Sequence, residues 1–253
     1  MDLSAFSLEG RIVVVTGANT GIGQGIALAV ARAGAHVVAA GRSAMDDTQR
    51  QVEALGGRIT SWHADLGEPG AGSRMIEAIW AEVGPIDALV NNAGIIRRAD
   101  ALDFTEADWD AVMDVNLKQT FFTCQSLARR WVQAGRGGKI VNIASVLSFQ
   151  GGIRVASYTA SKSGLAGLTR LLACEWAERG IGVNAIAPGY IESNNTAALR
   201  EDGQRNAQIL SRIPAGRWGK PADIGAAAVF LCAPASDYMH GAVIPVDGGW
   251  LAR

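Results

Sequence analysis

Cysteine and histidine are scarce in this chain, three of each among 253 residues. Cys124, Cys174 and Cys232 stand far apart, with no C-x-x-C pair and no Cys/His ligand spacing. That pattern excludes a disulfide framework and leaves no metal site to expect. It fits reduced, buried thiols in a cytoplasmic protein. Charge of one sign is not in excess either. Lys and Arg number 23 against 24 Asp and Glu, a net charge of −1, so no nucleic-acid partner is expected. Long apolar runs are missing. The longest uncharged stretch, Ile12 to Ala31, could span a bilayer by length. It carries Thr16, Asn19, Thr20, Gln24 and four glycines, however, and reads as strand, turn and helix; no membrane association is expected. The opening MDLSAFSLEG has no basic segment ahead of an apolar block, so no secretory signal is expected. Low charge (19%) with high hydrophobic content (49%) excludes disorder.

Glycine is abundant, 31 of 253 residues against a usual ~7%, and it clusters at the ends of apolar runs. Short β-branched runs at Arg11–Thr16, Ala35–Ala40, Arg58–Ala64, Ile86–Asn91, Lys139–Ala144, Ile181–Ala187 and Ala242–Val246 read as strands. Between them, Gly21–Ala33, Asp46–Leu55 and Glu68–Val83 read as helices, Glu106–Trp131 contains one long helix, and Ser157–Glu178 is a long buried helix. This alternation predicts an α/β fold: one doubly wound, Rossmann-like domain over residues 1–253, with a seven-stranded parallel sheet flanked by helices. The irregular stretch 188–221, rich in Pro and Gly, is expected to be a substrate loop or lid.

Two ends of the chain carry chemistry. After the first strand comes Gly17-Ala18-Asn19-Thr20-Gly21-Ile22-Gly23, a glycine turn opening a helix whose free N–H groups suit a pyrophosphate. At the end of the second strand, Gly41-Arg42-Ser43 offers no carboxylate for a ribose 2′-hydroxyl. A guanidinium there suits a 2′-phosphate, so NADP(H) is favoured over NAD(H). Ser145 lies just past the fifth strand, Tyr158 thirteen residues on, and Lys162 four further, on the same helix face as Tyr158. Tyr158 as a base near neutrality needs a phenol brought from ~10 to ~7–8. The Lys162 ammonium, with an oxidised nicotinamide, is expected to do this.

TGANTGIG at 16–23, Asn91-Asn92-Ala93-Gly94, Asn116, Ser145, Tyr158-x-x-x-Lys162 and Pro188-Gly189 together resemble the short-chain dehydrogenases/reductases along the whole chain. The resemblance implies that Tyr158 is the general acid/base, Ser145 positions the substrate oxygen, Lys162 lowers the Tyr158 pKa and holds the nicotinamide ribose, and Asn116 carries a relay water. It places Asp65 and Leu66 at the adenine, Asn91, Ala93 and Gly94 along the cofactor groove, and Pro188, Gly189, Ile191 and Ser193 at the carboxamide. Segments outside these motifs, such as IIRR at 95–98, RIPAGRWGKP at 212–221 and VDGGWLAR at 246–253, resemble a branch acting on deoxygluconate-type sugar acids in uronate and pectin breakdown. That branch is generally associated with NAD(H). For the sugar-acid carboxylate and hydroxyls, Arg154 is the leading candidate, with Gln150, Arg97, Arg98, Asn194, Asn195, Arg217 and Trp218 completing the pocket. Gluconate 5-dehydrogenation, reduction of carrier-bound 3-oxoacyl groups and a catalytically silent dinucleotide-binding scaffold are the alternatives. The family resemblance further implies a homotetramer.

Overall fold

Strands and helices alternate through residues 3–253, which the computed structural model describes. The strands are β1 Ile12–Thr16, β2 His36–Gly41, β3 Arg58–His63, β4 Ala88–Asn91, β5 Gly138–Ile143, β6 Ile181–Pro188 and β7 Val243–Val246. The helices are α1 Gly21–Arg32, α2 Asp46–Ala54, α3 Ala71–Glu82, α4 Glu106–Met113, α5 Thr120–Gln133, α6 Ala156–Trp176, α7 Ala197–Glu201, α8 Gly203–Leu210 and α9 Pro221–Cys232. All strands pair in parallel, in the order β3-β2-β1-β4-β5-β6-β7. Strand order reverses between β1 and β4, and ligands bind at the carboxyl edge beside such a switch.

Alternate residues of each strand serve opposite faces. Val13 and Val15 pack with Ile26 and Val30 of α1 and with Ile224 and Leu231 of α9. Val14 turns the other way, toward Ile76 and Ile79 of α3, Leu127 and Trp131 of α5 and Leu172 of α6. All three valines are fully covered, each contributing on the order of 1.5–3 kcal/mol. Coverage on both faces explains why these strands read as continuous apolar runs.

Several expectations need correction. The helix expected within Glu106–Trp131 is interrupted by a π-helical turn at Asp114–Gln119, a one-residue widening that a 3.6-residue pattern does not reveal. Helix α3 starts at Ala71, because Gly70 adopts a left-handed φ of 72°. Helix α6 is covered on one side only, with Leu171 and Cys174 exposed. Cys174 is therefore not a buried thiol, unlike Cys124 and Cys232, which burial pushes up to about 12. The segment 188–221 is not irregular: it holds α7 and α8. Ile209 and Ile213 from it pack with Val146, Trp218 and Trp250 in a separate apolar cluster.

Candidate active site

The carboxyl ends of β1 and β4 are tied together side chain to backbone. Thr16 Oγ1 accepts from the backbone N–H of Asn92 and of Ala93, both at 3.0 Å. Asn92 Nδ2 donates to the carbonyls of Thr16 (2.9 Å) and Gly17 (3.2 Å). The turn is tight enough to demand glycine. Gly17 has φ 65°, and a Cβ on Gly23 would lie 2.1 Å from the Gly17 carbonyl oxygen. Helix α1 opens at Gly21 with no side-chain cap, so its first N–H groups and its positive dipole end face the crevice.

The crevice is a cleft of about 860 Å³. Gly17, Asn19, Thr20, Gly21, Ile22 and Gly23 line it at one flank, Gly41, Arg42, Asp65 and Leu66 at the adenine end, and Ala93, Gly94, Tyr158, Lys162 and Ser193 further along. A Cβ on Gly94 would stand 3.1 Å from Asn116 Oδ1 and 3.8 Å from Lys162 Nζ, so this glycine keeps open the space between them. Free helical N–H groups, an open floor and a terminal guanidinium fit a nicotinamide dinucleotide. Arg42 is exposed, with Nη1 3.9 Å from Asp65 Oδ2, a contact worth little in solvent, which leaves its guanidinium available to a phosphate.

Four expected cofactor residues do not line the cleft. Asn91 faces inward as the last residue of β4, where its Nδ2 donates to Asn142 Oδ1 (2.9 Å) and to Cys124 Sγ (3.1 Å). Its neighbour Asn92, on the opposite face, holds the glycine turn. Pro188 closes β6, Gly189 lies against Asp247, and Ile191 is buried in a bridge to Gly219.

The chemical groups gather at the same sheet edge. Ser145 follows β5, and its Oγ accepts from Leu147 N–H at 3.1 Å. Tyr158 and Lys162 stand one turn apart on α6, with Lys162 Nζ 5.6 Å from the Tyr158 ring centroid. Nζ donates to the Ile143 carbonyl at 2.6 Å, anchoring it to the end of β5. Burial brings the Lys162 ammonium down to about 8. Tyr158 departs from expectation: burial raises its phenol above the usual value, while a hydrogen bond with Ser145 and the charge of Arg98 pull it down. Desolvation disfavours the phenolate more than these groups favour it. Asn116 sits in the π-turn, fully buried. Its Oδ1 accepts from Ile95 N–H (2.8 Å), and its Nδ2 donates to the Ile95 carbonyl (2.9 Å) and Ser161 Oγ (3.2 Å). It thereby fixes the loop after β4 against α6.

The substrate candidates scatter. Arg154, at a left-handed φ of 62°, pairs with Asp100 at 3.4 Å and lies off the cleft, as does Gln150. Arg97 and Asn194 line the cleft, but Arg97 is paired with Asp108 at 3.2 Å. Arg217 is held by both carboxylate oxygens of Asp223. Trp218 is buried, donating from Nε1 to Asn206 Oδ1 (2.8 Å) and packing edge-on against Tyr190. Arg98 differs. It does not line the cleft itself, but its charge lowers the Tyr158 phenol, and its Nη2 donates to the carbonyl of Asn195 (2.9 Å), a cleft residue. Among the described residues, no group of three His, Cys, Asp or Glu could hold a metal ion, and no helix is long and apolar enough to cross a membrane.

A doubly wound sheet with a dinucleotide cradle at its switch point, and a Ser/Tyr/Lys cluster on the same edge, defines a dinucleotide-dependent oxidoreductase. The family model described as enoyl-(acyl carrier protein) reductase matches residues 17–251, and the chain belongs to the short-chain dehydrogenase/reductase family. It is 58% identical over 253 residues, all of both chains, to a 2-dehydro-3-deoxy-D-gluconate 5-dehydrogenase of Escherichia coli (strain K12). A protein of the same name from Dickeya dadantii (strain 3937) is 53% identical, again over the whole of both chains. Among solved structures, one described as a 2-deoxy-D-gluconate 3-dehydrogenase from Agrobacterium tumefaciens, with bound NADP, superposes with a TM-score of 0.95. It is 60% identical, the match covering 98% of this chain and 99% of that one.

Proposed function

We propose that residues 1–253 form one catalytic domain that moves a hydride between a nicotinamide dinucleotide and a secondary alcohol or ketone of a sugar acid. The substrate is 2-dehydro-3-deoxy-D-gluconate at its 5-position or 2-deoxy-D-gluconate at its 3-position, in uronate and pectin breakdown. The observation that carries the reading is the placement of Tyr158 and Lys162 in the wall of a cleft that begins on the α1 N-terminus, with Ser145 bonded to the Tyr158 phenol. The full-length identity to the named dehydrogenases supports the substrate class.

Bound nicotinamide supplies or accepts the hydride. The Tyr158 phenol moves the proton at the substrate oxygen: it donates in reduction and, as phenolate, accepts in oxidation. Ser145 hydrogen-bonds with the same phenol and positions that oxygen beside it. Lys162, fixed by the Ile143 carbonyl, presents its ammonium to the nicotinamide ribose, and Asn116 holds the loop that walls this space and carries a relay water. Arg98 replaces Arg154 as the cation for the substrate carboxylate, because its charge reaches Tyr158 and it has no acidic partner among the described residues, while Arg154 is paired with Asp100. Arg42 takes the 2′-phosphate, so NADP(H) is preferred and NAD(H) accepted, and Ser193 contacts the carboxamide. The segment 188–221 is the substrate loop region.

The enzyme works as a cytoplasmic homotetramer. Exposed Val132 and Leu171 flanking a groove between α5 and α6 support assembly through these helices. Steady-state kinetics with both cofactors over a panel of keto-deoxy and hexonic acids test the reading. A sugar acid is expected to be turned over with NADP(H) preferred; no turnover with any of them defeats it.

A further inference from the structure

A second cavity, of about 370 Å³, lies between α8 and the C-terminal turn and shares no lining residue with the catalytic cleft. Arg205 and Gln208 of α8 and Arg212 just beyond its end reach it from one side, at a spacing that shares one helix face. Tyr190 and Trp250 close the other side. The Arg212 guanidinium lies 4.1 Å from the centre of the Trp250 ring, within cation–π range. Arg205 Nη1 donates to Gln208 Oε1 at 3.2 Å. No carboxylate lines the cavity, and among the described residues neither arginine has an acidic partner, whereas Arg97, Arg154 and Arg217 each have one.

Two guanidiniums beside amide and hydroxyl groups, with no acid lining the cavity to neutralise them, match a carboxylate on a polyhydroxylated chain. We propose that this cavity is a second, non-catalytic binding site for a sugar-acid carboxylate, gripped by Arg205 and Arg212. The choice of a sugar acid rests on the substrate class proposed above. The site bears on the cleft through a short path. Tyr190 bonds through its carbonyl to Gly219 N–H (2.9 Å), and Gly219 accepts in turn from Glu192 N–H (2.8 Å). Ser193 of the cleft wall follows directly.

The full-length protein labelled with 5-fluorotryptophan tests this, the Trp250 resonance being assigned by its loss in Trp250→Phe. D-Gluconate is expected to move that resonance saturably, and D-sorbitol, which lacks the carboxylate, to leave it in place. The double variant Arg205→Gln/Arg212→Gln is expected to weaken the gluconate response about tenfold or more. A resonance indifferent to gluconate, equally responsive to sorbitol, or titrating identically in the double variant overturns the proposal. Turnover of sugar acids is measured separately on unlabelled enzyme, so failure of the catalytic reading and failure of this site give different results.

Discussion

The two flanks of the cleft are built on different principles. The flank formed by β1, α1 and β4 is rigid: a turn that admits only glycine, side-chain bonds from Asn92 and Thr16, and a helix end with free N–H groups. The opposite flank, from the loop after β4 to Asn195, is made of loops held by exposed side chains, with Arg97 paired to Asp108 and a single bond from Arg98 to Asn195. One flank receives a ligand part common to every turnover and can be preorganised. The other must release product and discriminate substrates, so its cations are held by contacts that a ligand can replace.

Substitutions on each side should separate these roles, and the largest effect belongs to neither flank alone. Tyr158→Phe keeps the ring and loses the proton, so kcat should fall by ~10²–10⁴ while NADPH affinity, followed by cofactor fluorescence, stays the same. A preserved kcat would remove the phenol from the reaction. Lys162 comes next, and its sign is set by burial. Its ammonium is down at about 8 in the folded chain against ~10.4 in an unfolded one. The unfolded state therefore binds the extra proton between these values, and stability contributed by this group rises with pH through that window. Lys162→Met should melt higher than wild type at pH 7, by on the order of 3 kcal/mol. That advantage should shrink toward pH 10; a gap constant with pH contradicts the buried charge.

On the opposite flank, Arg98→Gln should raise KM for a sugar acid by ~10–100-fold. It should also move the basic limb of the pH–rate profile upward, because a charge that lowers the Tyr158 phenol is gone. Arg154→Leu should leave both unchanged, and the reverse pattern would return the carboxylate to Arg154. The smallest effect is expected at the adenine end, where Arg42→Ala should lower kcat/KM for NADP by ~5–10-fold and leave NAD almost untouched. Equal losses would detach Arg42 from the 2′-phosphate.

The rigid flank is also the part that sequence expresses best. Strand positions follow from β-branched runs because burial on both faces forces them, and the glycines at 17, 21 and 23 fall where the backbone must close on itself. Asn91 and Asn92 show the limit. One faces the core and the other the turn, and adjacency in sequence does not say which, since strand residues alternate and β4 ends between the two. The π-turn at Asp114–Gln119 is hidden for a related reason: it shifts the helix by one residue without disturbing its apolar spacing. The arginines offered as substrate cations resist reading altogether. Whether Arg97, Arg154 or Arg217 is free depends on Asp108, Asp100 and Asp223, and loop geometry rather than local pattern brings each pair together. The separation of Trp218 from the substrate, buried against Tyr190, has the same origin.

The bonds from Asn92 to Thr16 and Gly17 join residues 76 and 75 positions apart, with three crossover helices and three strands in between. The nucleotide cradle therefore cannot assemble until the middle of the sheet has zipped, which non-local parallel pairing makes slow. Only the finished molecule can hold the dinucleotide. Cellular cofactor at a hundred times its dissociation constant would then add about 2.7 kcal/mol to the resistance of the chain to unfolding, linking the enzyme's persistence to the supply of the compound it consumes.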